Sequence, residues 1–236
     1  MTLRRAALLS LPMFLVFAAS CSTAPQRAQD TLSVSQAKEW LARYCFKGPR
    51  ELSGSLVFQA NTPEFKGQHP GSVRMERTGA FVLEATHILG GTLLRIHSDG
   101  KTFDLVAPSK PKVNRSGITR YLGLDVPILQ GLLAGDLPCP SDWRSAEVEV
   151  EGAEIRILSR PWIWSFTRAM SAGSEKPVDQ VDRVPFGIDL TPVEPAKSRG
   201  RIELRIETWD RSKNLAKKVR IHSEEGDLKW TWRNRD

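Results

Sequence analysis

The stretch GSVRMERTGAFVLEATHILGGTLLRIHSDGKTFDLVAP, residues 71–108, decides the fold. Apolar and polar residues alternate along it. Val73 and Met75, Phe81 and Leu83, Leu94 and Ile96, and Phe103 and Leu105 each fall two apart. That period puts the members of each pair on one face of a sheet. Residues 71–86 read as one long strand, or as two broken near Gly79. The next two runs, 92–98 and 102–108, flank Asp99-Gly100. Asp-Gly between apolar runs is a strong hairpin signal, because both residues tolerate positive φ.

The same stretch holds His97-Ser98-Asp99, the three residue types of a hydrolase triad. Neighbouring strand residues point to opposite faces, so His97 and Ser98 diverge. A triad needs its base within hydrogen-bond reach of the nucleophile. No Gly-x-Ser-x-Gly elbow occurs either. A second RIHS precedes an acidic-Gly turn at 220–226. Two hairpins explain the repeat better than two active sites, and no catalytic residue is assigned.

Outward from this centre, strands dominate. LSGSLVFQA (52–60) aligns Leu56 with Phe58. AEVEVE (146–151) and AEIRIL (153–158) flank Gly152. WIWSFTR (162–168) puts Trp162, Trp164 and Phe166 on one face. The chain ends in three alternating runs, at 201–210, 217–223 and 228–233. Strict alternation there groups Ile202, Leu204, Ile206 and Thr208, and separately Leu228, Trp230 and Trp232.

Two helices are expected. In SVSQAKEWLARYCF, Ala37, Trp40, Leu41, Tyr44 and Cys45 make one apolar face, with Ser33 or Ser35 as cap and Gly48-Pro49 as stop. In GLDVPILQGLLAGDLPC (123–139), Pro127 suits a first turn. Ile128, Leu129, Leu132 and Leu133 would face inward, and Gly135 and Pro138 end the run. Residues 169–200 hold four prolines and little periodicity, with room for a short strand at 186–190. About ten strands and two helices predict a mainly antiparallel α+β fold, an incomplete and strongly curved barrel with a helical lid.

The N-terminus reads as a targeting segment. Arg4 and Arg5 precede an apolar run too short for an ordinary membrane span, interrupted by Pro12. Ala18, Ala19 and Ser20 lead into Cys21, which resembles a bacterial lipobox with Cys21 as the acylated residue. Cleavage near Cys21 by an ordinary signal peptidase is the alternative. Residues 1–20 are thus a lipoprotein signal peptide, 21–35 a lipidated, flexible tether, and 36–236 a single domain. Ser22 leans towards the outer membrane.

The chain has three cysteines. Acylating Cys21 leaves Cys45 and Cys139, which can form one disulfide or stay as two buried thiols. Such a bridge would be worth roughly 4–5 kcal/mol on the chain-entropy account.

The formal charge of +7 falls to about +5 without Arg4 and Arg5. Its cations are interleaved with acids, as on solvated strand faces; attraction to anionic lipid heads is the functional alternative. No nucleic-acid motif is present. The histidines, His69, His87, His97 and His222, show no metal-ligand spacing, and no phosphate-binding Gly-rich loop occurs. No metal or other cofactor is expected.

The order of elements in 71–117, followed by RYLGLDVPILQGLLAGDLP (120–138), resembles outer-membrane lipoproteins of the LolA/LolB-like superfamily, the lipoprotein carrier and receptor. The resemblance covers residues 52–140. The N-terminal helix and lipobox fit the membrane-anchored receptor branch. It implies an incomplete barrel whose apolar cavity holds acyl chains of lipoproteins or lipids, with hand-over and no bond chemistry.

On that reading the wall candidates are Leu56, Phe58, Val73, Met75, Phe81 and Leu83, then Leu94, Ile96, Phe103 and Leu105, and last Trp162, Trp164, Trp230 and Trp232. Leu129 and Leu132 belong to the lid, with Trp40, Leu41, Ile128 and Leu133. Many of these side chains are equally suited to filling a core. The family receptor carries a protruding apolar loop for membrane insertion. Its counterpart is HILGG (87–91), with Ile88 and Leu89 either exposed for insertion or packed beneath a neighbouring loop. Expected partners are the outer membrane through the N-terminal lipid, an acylated ligand, and a periplasmic lipoprotein carrier. The domain would face the periplasm. A different class, a structural or assembly lipoprotein, would use the same fold with a filled interior to bind a protein in an envelope complex.

Overall fold

The structure, a computed structural model, describes residues 32–152, 154–168, 185–193, 200–210, 212–213 and 215–236. The expected signal peptide, the expected lipidation site Cys21, most of the expected tether and most of 169–200 lie outside the described residues.

The first helix, α1 (Val34–Tyr44), starts at Ser33. The Ser33 hydroxyl accepts from the Gln36 amide at 3.2 Å, and the Gln36 side chain accepts from the Ser33 amide at 2.9 Å. This capping box satisfies two donors the helix leaves open. Leu32 is already buried, so the folded domain begins ahead of residue 36. Ala37, Trp40, Leu41 and Tyr44 form the buried face.

Among the described residues fifteen strands follow. The first eight are β1 (Leu52–Asn61), β2 (Lys66–Met75), β3 (Phe81–Thr86), β4 (Thr92–Ser98), β5 (Phe103–Val106), β6 (Arg115–Ile118), β7 (Arg120–Tyr121) and β8 (Leu124–Asp125). Helix α2 (Val126–Ala134) comes next. The chain then forms β9 (Glu147–Glu151), β10 (Glu154–Ser159), β11 (Trp162–Arg168), β12 (Pro185–Pro192), β13 (Ile202–Asp210), β14 (Leu215–Ser223) and β15 (Gly226–Arg235).

Thirteen of these strands make one antiparallel sheet in the order β6-β5-β4-β3-β2-β1-β15-β14-β13-β12-β11-β10-β9. It is open, because β6 and β9 each pair on one side only. β7 and β8 form a separate two-stranded hairpin. The strands beyond the expected count of about ten come from 71–86, which holds two, from β12 in the stretch with room for a short strand, and from β6, which gives no apolar signal. β2 opens with KGQHP, exposed or half-buried throughout, so nothing there demands alternation.

The sheet curls at its β6 end. In a flat sheet β6 would lie about 24 Å from β1 at the usual strand spacing. Yet Arg115 at the start of β6 donates to Glu64, just past β1, at 3.3 Å, and Lys110 Nζ donates to the Pro63 carbonyl at 3.1 Å. The helices cover the inner face. Trp40 packs edge-on against Phe166 of β11, and Tyr44 against Trp209 of β13. Gln130 of α2 donates to the Gly79 carbonyl at 2.6 Å, between β2 and β3.

One expectation fails at β13. Register shifts between Ile206 and Trp209 move Thr208 to the exposed side and bring Trp209 against Tyr44. A bulge inserts one residue and reverses the faces beyond it, which strict alternation cannot register.

Candidate functional site

The segments that follow the two helices run side by side. The Phe46 amide donates to the Leu137 carbonyl at 2.8 Å, and the Leu137 amide to the Tyr44 carbonyl at 2.9 Å. Cys45 and Cys139 are disulfide-bonded across this seam, 94 residues apart. Beyond it, residues 141–145 turn tightly. The Trp143 amide donates to the Pro140 carbonyl at 3.2 Å, and the Ser159 hydroxyl donates to Asp142 at 2.5 Å. Those bonds hold the turn against the end of β10.

A cleft of about 420 Å³ opens where these pieces meet. Phe46 and the disulfide form one side, and the first turn of α2, with Pro127 and Ile128, forms another. Trp143, Pro161, Trp162 and Trp164 complete the walls. Trp164 stacks on Phe166 with ring centroids 6.2 Å apart, which fixes its plane. The size falls within the roughly 300–1,000 Å³ of small-molecule sites.

Lys47, Arg144 and Arg160 stand on the rim. All three are exposed, and among the described residues none forms an ion pair. Arg144 lies over the Trp143 ring at 4.8 Å, a cation–π contact that locates its guanidinium. The neighbouring acids are engaged elsewhere: Asp125 by Arg120 at 2.8 Å, and Asp136 by Arg50 at 3.2 Å.

Of the residues expected to line a cavity, Trp162, Trp164 and Ile128 border this cleft. Leu56, Phe58, Val73, Met75, Phe81 and Leu83 are buried in the core they share with Leu94, Ile96, Phe103 and Leu105. Trp230, Trp232, Leu129 and Leu132 are buried there too. Phe46, Trp143 and the basic rim were not anticipated. The signal in the sequence is CPSDWR (139–144), a tryptophan inside a polar turn between a cysteine and an arginine.

The β3–β4 turn is the other feature. The Gly90 amide donates to the His87 carbonyl at 2.9 Å, and the His87 amide to the Gly91 carbonyl at 2.9 Å. The Leu89 amide donates to His87 Nδ1 at 3.2 Å. Gly90 and Gly91 have φ of 94° and 88°, a region that favours glycine. This turn raises Ile88 and Leu89 into solvent, at 76% and 87% exposure. At its base Glu84 accepts from the Thr92 hydroxyl at 2.6 Å and from Arg95 at 3.1 Å.

His97, Ser98 and Asp99 do not converge. Ser98 is buried and accepts from the Gly100 amide at 3.1 Å. His97 is exposed on the opposite face. Asp99 accepts from the Lys101 and Thr102 amides at 2.8 Å, closing the hairpin. Among the described residues no three His, Cys, Asp or Glu side chains gather as a metal site, and no helix is long and apolar enough to cross a membrane.

No protein-family model and no curated protein sequence matches the chain. Among solved structures it is similar to a LolA superfamily protein from Nitrosomonas europaea, at 12% identity and a TM-score of 0.46, over 85% of this chain and 92% of that one.

Proposed function

We propose that this chain is an outer-membrane-anchored lipoprotein with a LolA/LolB-like fold that holds acyl chains of lipoproteins or lipids and helps their transfer or insertion at that membrane. The observation that carries the reading is the aromatic cleft of about 420 Å³ beside the helices. Burial of each methylene against its aromatic walls would stabilise the complex by roughly 0.8 kcal/mol. Acylation of Cys21 would tether the domain, with Ser22 favouring the outer membrane and the domain facing the periplasm. Ile88 and Leu89 supply the apolar point that meets the bilayer at delivery. A periplasmic lipoprotein carrier is the expected donor of cargo.

A second reading has its own support. Leu158 is exposed on the outer face, in a hollow of about 400 Å³ with Ile163, Glu147 and Glu149, next to the edge strand β9. An assembly lipoprotein would use that surface for a protein partner.

Mass spectrometry on residues 22–236, exported without Cys21, tests the first reading. The expected result is a stoichiometric acylated molecule under native conditions that is released by organic extraction. Protein that is clean and takes up no added lipid would sink it.

A further inference from the structure

We infer that the acylated molecule held in the cleft is anionic, with its tail against Trp143, Trp162, Trp164 and Ile128 and its head between Lys47, Arg144 and Arg160. The inference rests on the acyl-binding reading and adds the class of ligand.

The argument is one of charge left over at an apolar mouth. Many of the described strand-face cations are matched. Lys218, Arg220 and Lys229 surround Glu207, and Arg201 and Arg205 face Asp189 and Glu203. At the cleft that matching stops. Three cations from three separate segments converge on one rim: the loop after Cys45, the 141–145 turn and the β10–β11 turn.

The acids within reach are already bonded. Asp125 pairs with Arg120, Asp136 with Arg50, and Asp142 accepts from Ser159. Arg144 is positioned by the Trp143 ring, so its charge is held where tail and head would join. A phosphate or carboxylate supplies the missing negative charge, and Arg suits either through paired donors. A zwitterionic head such as phosphocholine offsets its own phosphate with an ammonium and leaves the net charge of the rim unmatched.

The experiment compares lysophosphatidylglycerol with lysophosphatidylcholine of the same chain length, both below micelle formation. Brominated chains quench nearby tryptophans, so the cleft reports its own occupancy. The anionic lipid should bind about tenfold tighter, with the margin shrinking in high salt. Lys47→Glu, Arg144→Glu and Arg160→Glu together should erase the margin and leave binding of the choline lipid. Thermal unfolding confirms that this variant is folded. Ile128→Trp should weaken both lipids by filling the cleft.

Equal affinity of the wild-type protein for the two heads would overturn the inference while the acyl-binding reading stands. Binding of neither lipid would remove both. Inorganic phosphate at matched ionic strength should not compete; displacement of the lipid by it would mean an anion site independent of the tail. Binding to phosphatidylglycerol vesicles with no lipid extracted would assign the cations to bilayer contact instead. Either result would overturn the inference.

Discussion

Arg235, one residue from the end of the chain, donates from Nη1 to the carbonyl oxygen of Ala134 at 3.1 Å, across 101 positions of sequence. Ala134 is the last residue of α2, where carbonyls have no partner within the helix. Arg50 donates to the same oxygen at 2.5 Å, and Arg235 Nη2 donates to the Ala216 carbonyl of β14 at 3.1 Å. The loop after α1 and the end of β15 thus close around the negative end of α2. Burial, and then the neighbouring charge of Arg50, pushes Arg235 down to about 10.

Replacing Arg235 should therefore cost more than an ordinary surface change. Arg235→Ala takes one charged donor from each of the Ala134 and Ala216 carbonyls, leaving Ala134 to Arg50 alone, and removes the cation from over Trp232, where it sits 4.2 Å from the ring. The expected loss is about 2–4 kcal/mol in urea unfolding. Arg50→Ala should cost clearly less, because its side chain is 44% exposed. Equal losses would mean that the helix end is held by Arg50 rather than by the β15 terminus.

The disulfide gives a second expectation. It closes a loop spanning the first eight strands and α2. Replacing Cys45 and Cys139 by Ala should cost roughly 4–5 kcal/mol. Reductant should lower the midpoint of the wild-type protein and leave the double variant unmoved. A loss below about 1 kcal/mol would show that the paired backbone of Phe46 and Leu137 suffices to hold the seam.

The β3–β4 turn separates stability from function. Leu89→Glu should change stability by less than about 0.5 kcal/mol, since the side chain touches little. It should abolish insertion in a vesicle-binding assay. Gly90→Ala should cost about 1 kcal/mol through its positive φ and weaken insertion by reshaping the turn. Unchanged insertion by Leu89→Glu would remove the tip from the delivery step.

Much of this fold is legible because burial is one-sided. Phe81, Leu83, Leu94 and Ile96 alternate since their opposite neighbours meet water, and Ser33 with Gln36 writes the start of α1 in four residues. Where burial does not alternate, the pattern vanishes. The first half of β2 is open on both faces, and the bulge at Thr208 is a property of pairing with β14. The cleft is harder still. Trp143 comes from a turn, Ile128 from a helix and Trp164 from a strand, and the disulfide seam with the turn bonded to Ser159 brings them together. Core and cavity residues also share one composition, so Leu56 and Trp164 look alike until packing distinguishes them.

Acid should loosen the base of the exposed turn first. The Thr92 hydroxyl holds the Glu84 carboxyl below its usual value of 4.5, against a partial opposing effect of burial and with further help from Arg95. The unfolded chain then takes up this proton at higher pH than the folded one. The stability contributed by Glu84 is present above about pH 4.5 and is lost as pH falls through the depressed folded value. Because Arg95 is 54% exposed, solvent screening keeps the contribution under about 1 kcal/mol. Glu84→Gln should lower the melting temperature slightly at neutral pH and flatten its decline below about pH 5. Hydrogen-exchange protection of the Leu89 and Gly90 amides, relative to their intrinsic rates, should fall in the variant at neutral pH, as it should for the wild-type protein in acid. If the two proteins keep parallel melting curves across that range, the carboxylate contributes nothing to the turn and the tip is held by its backbone bonds alone.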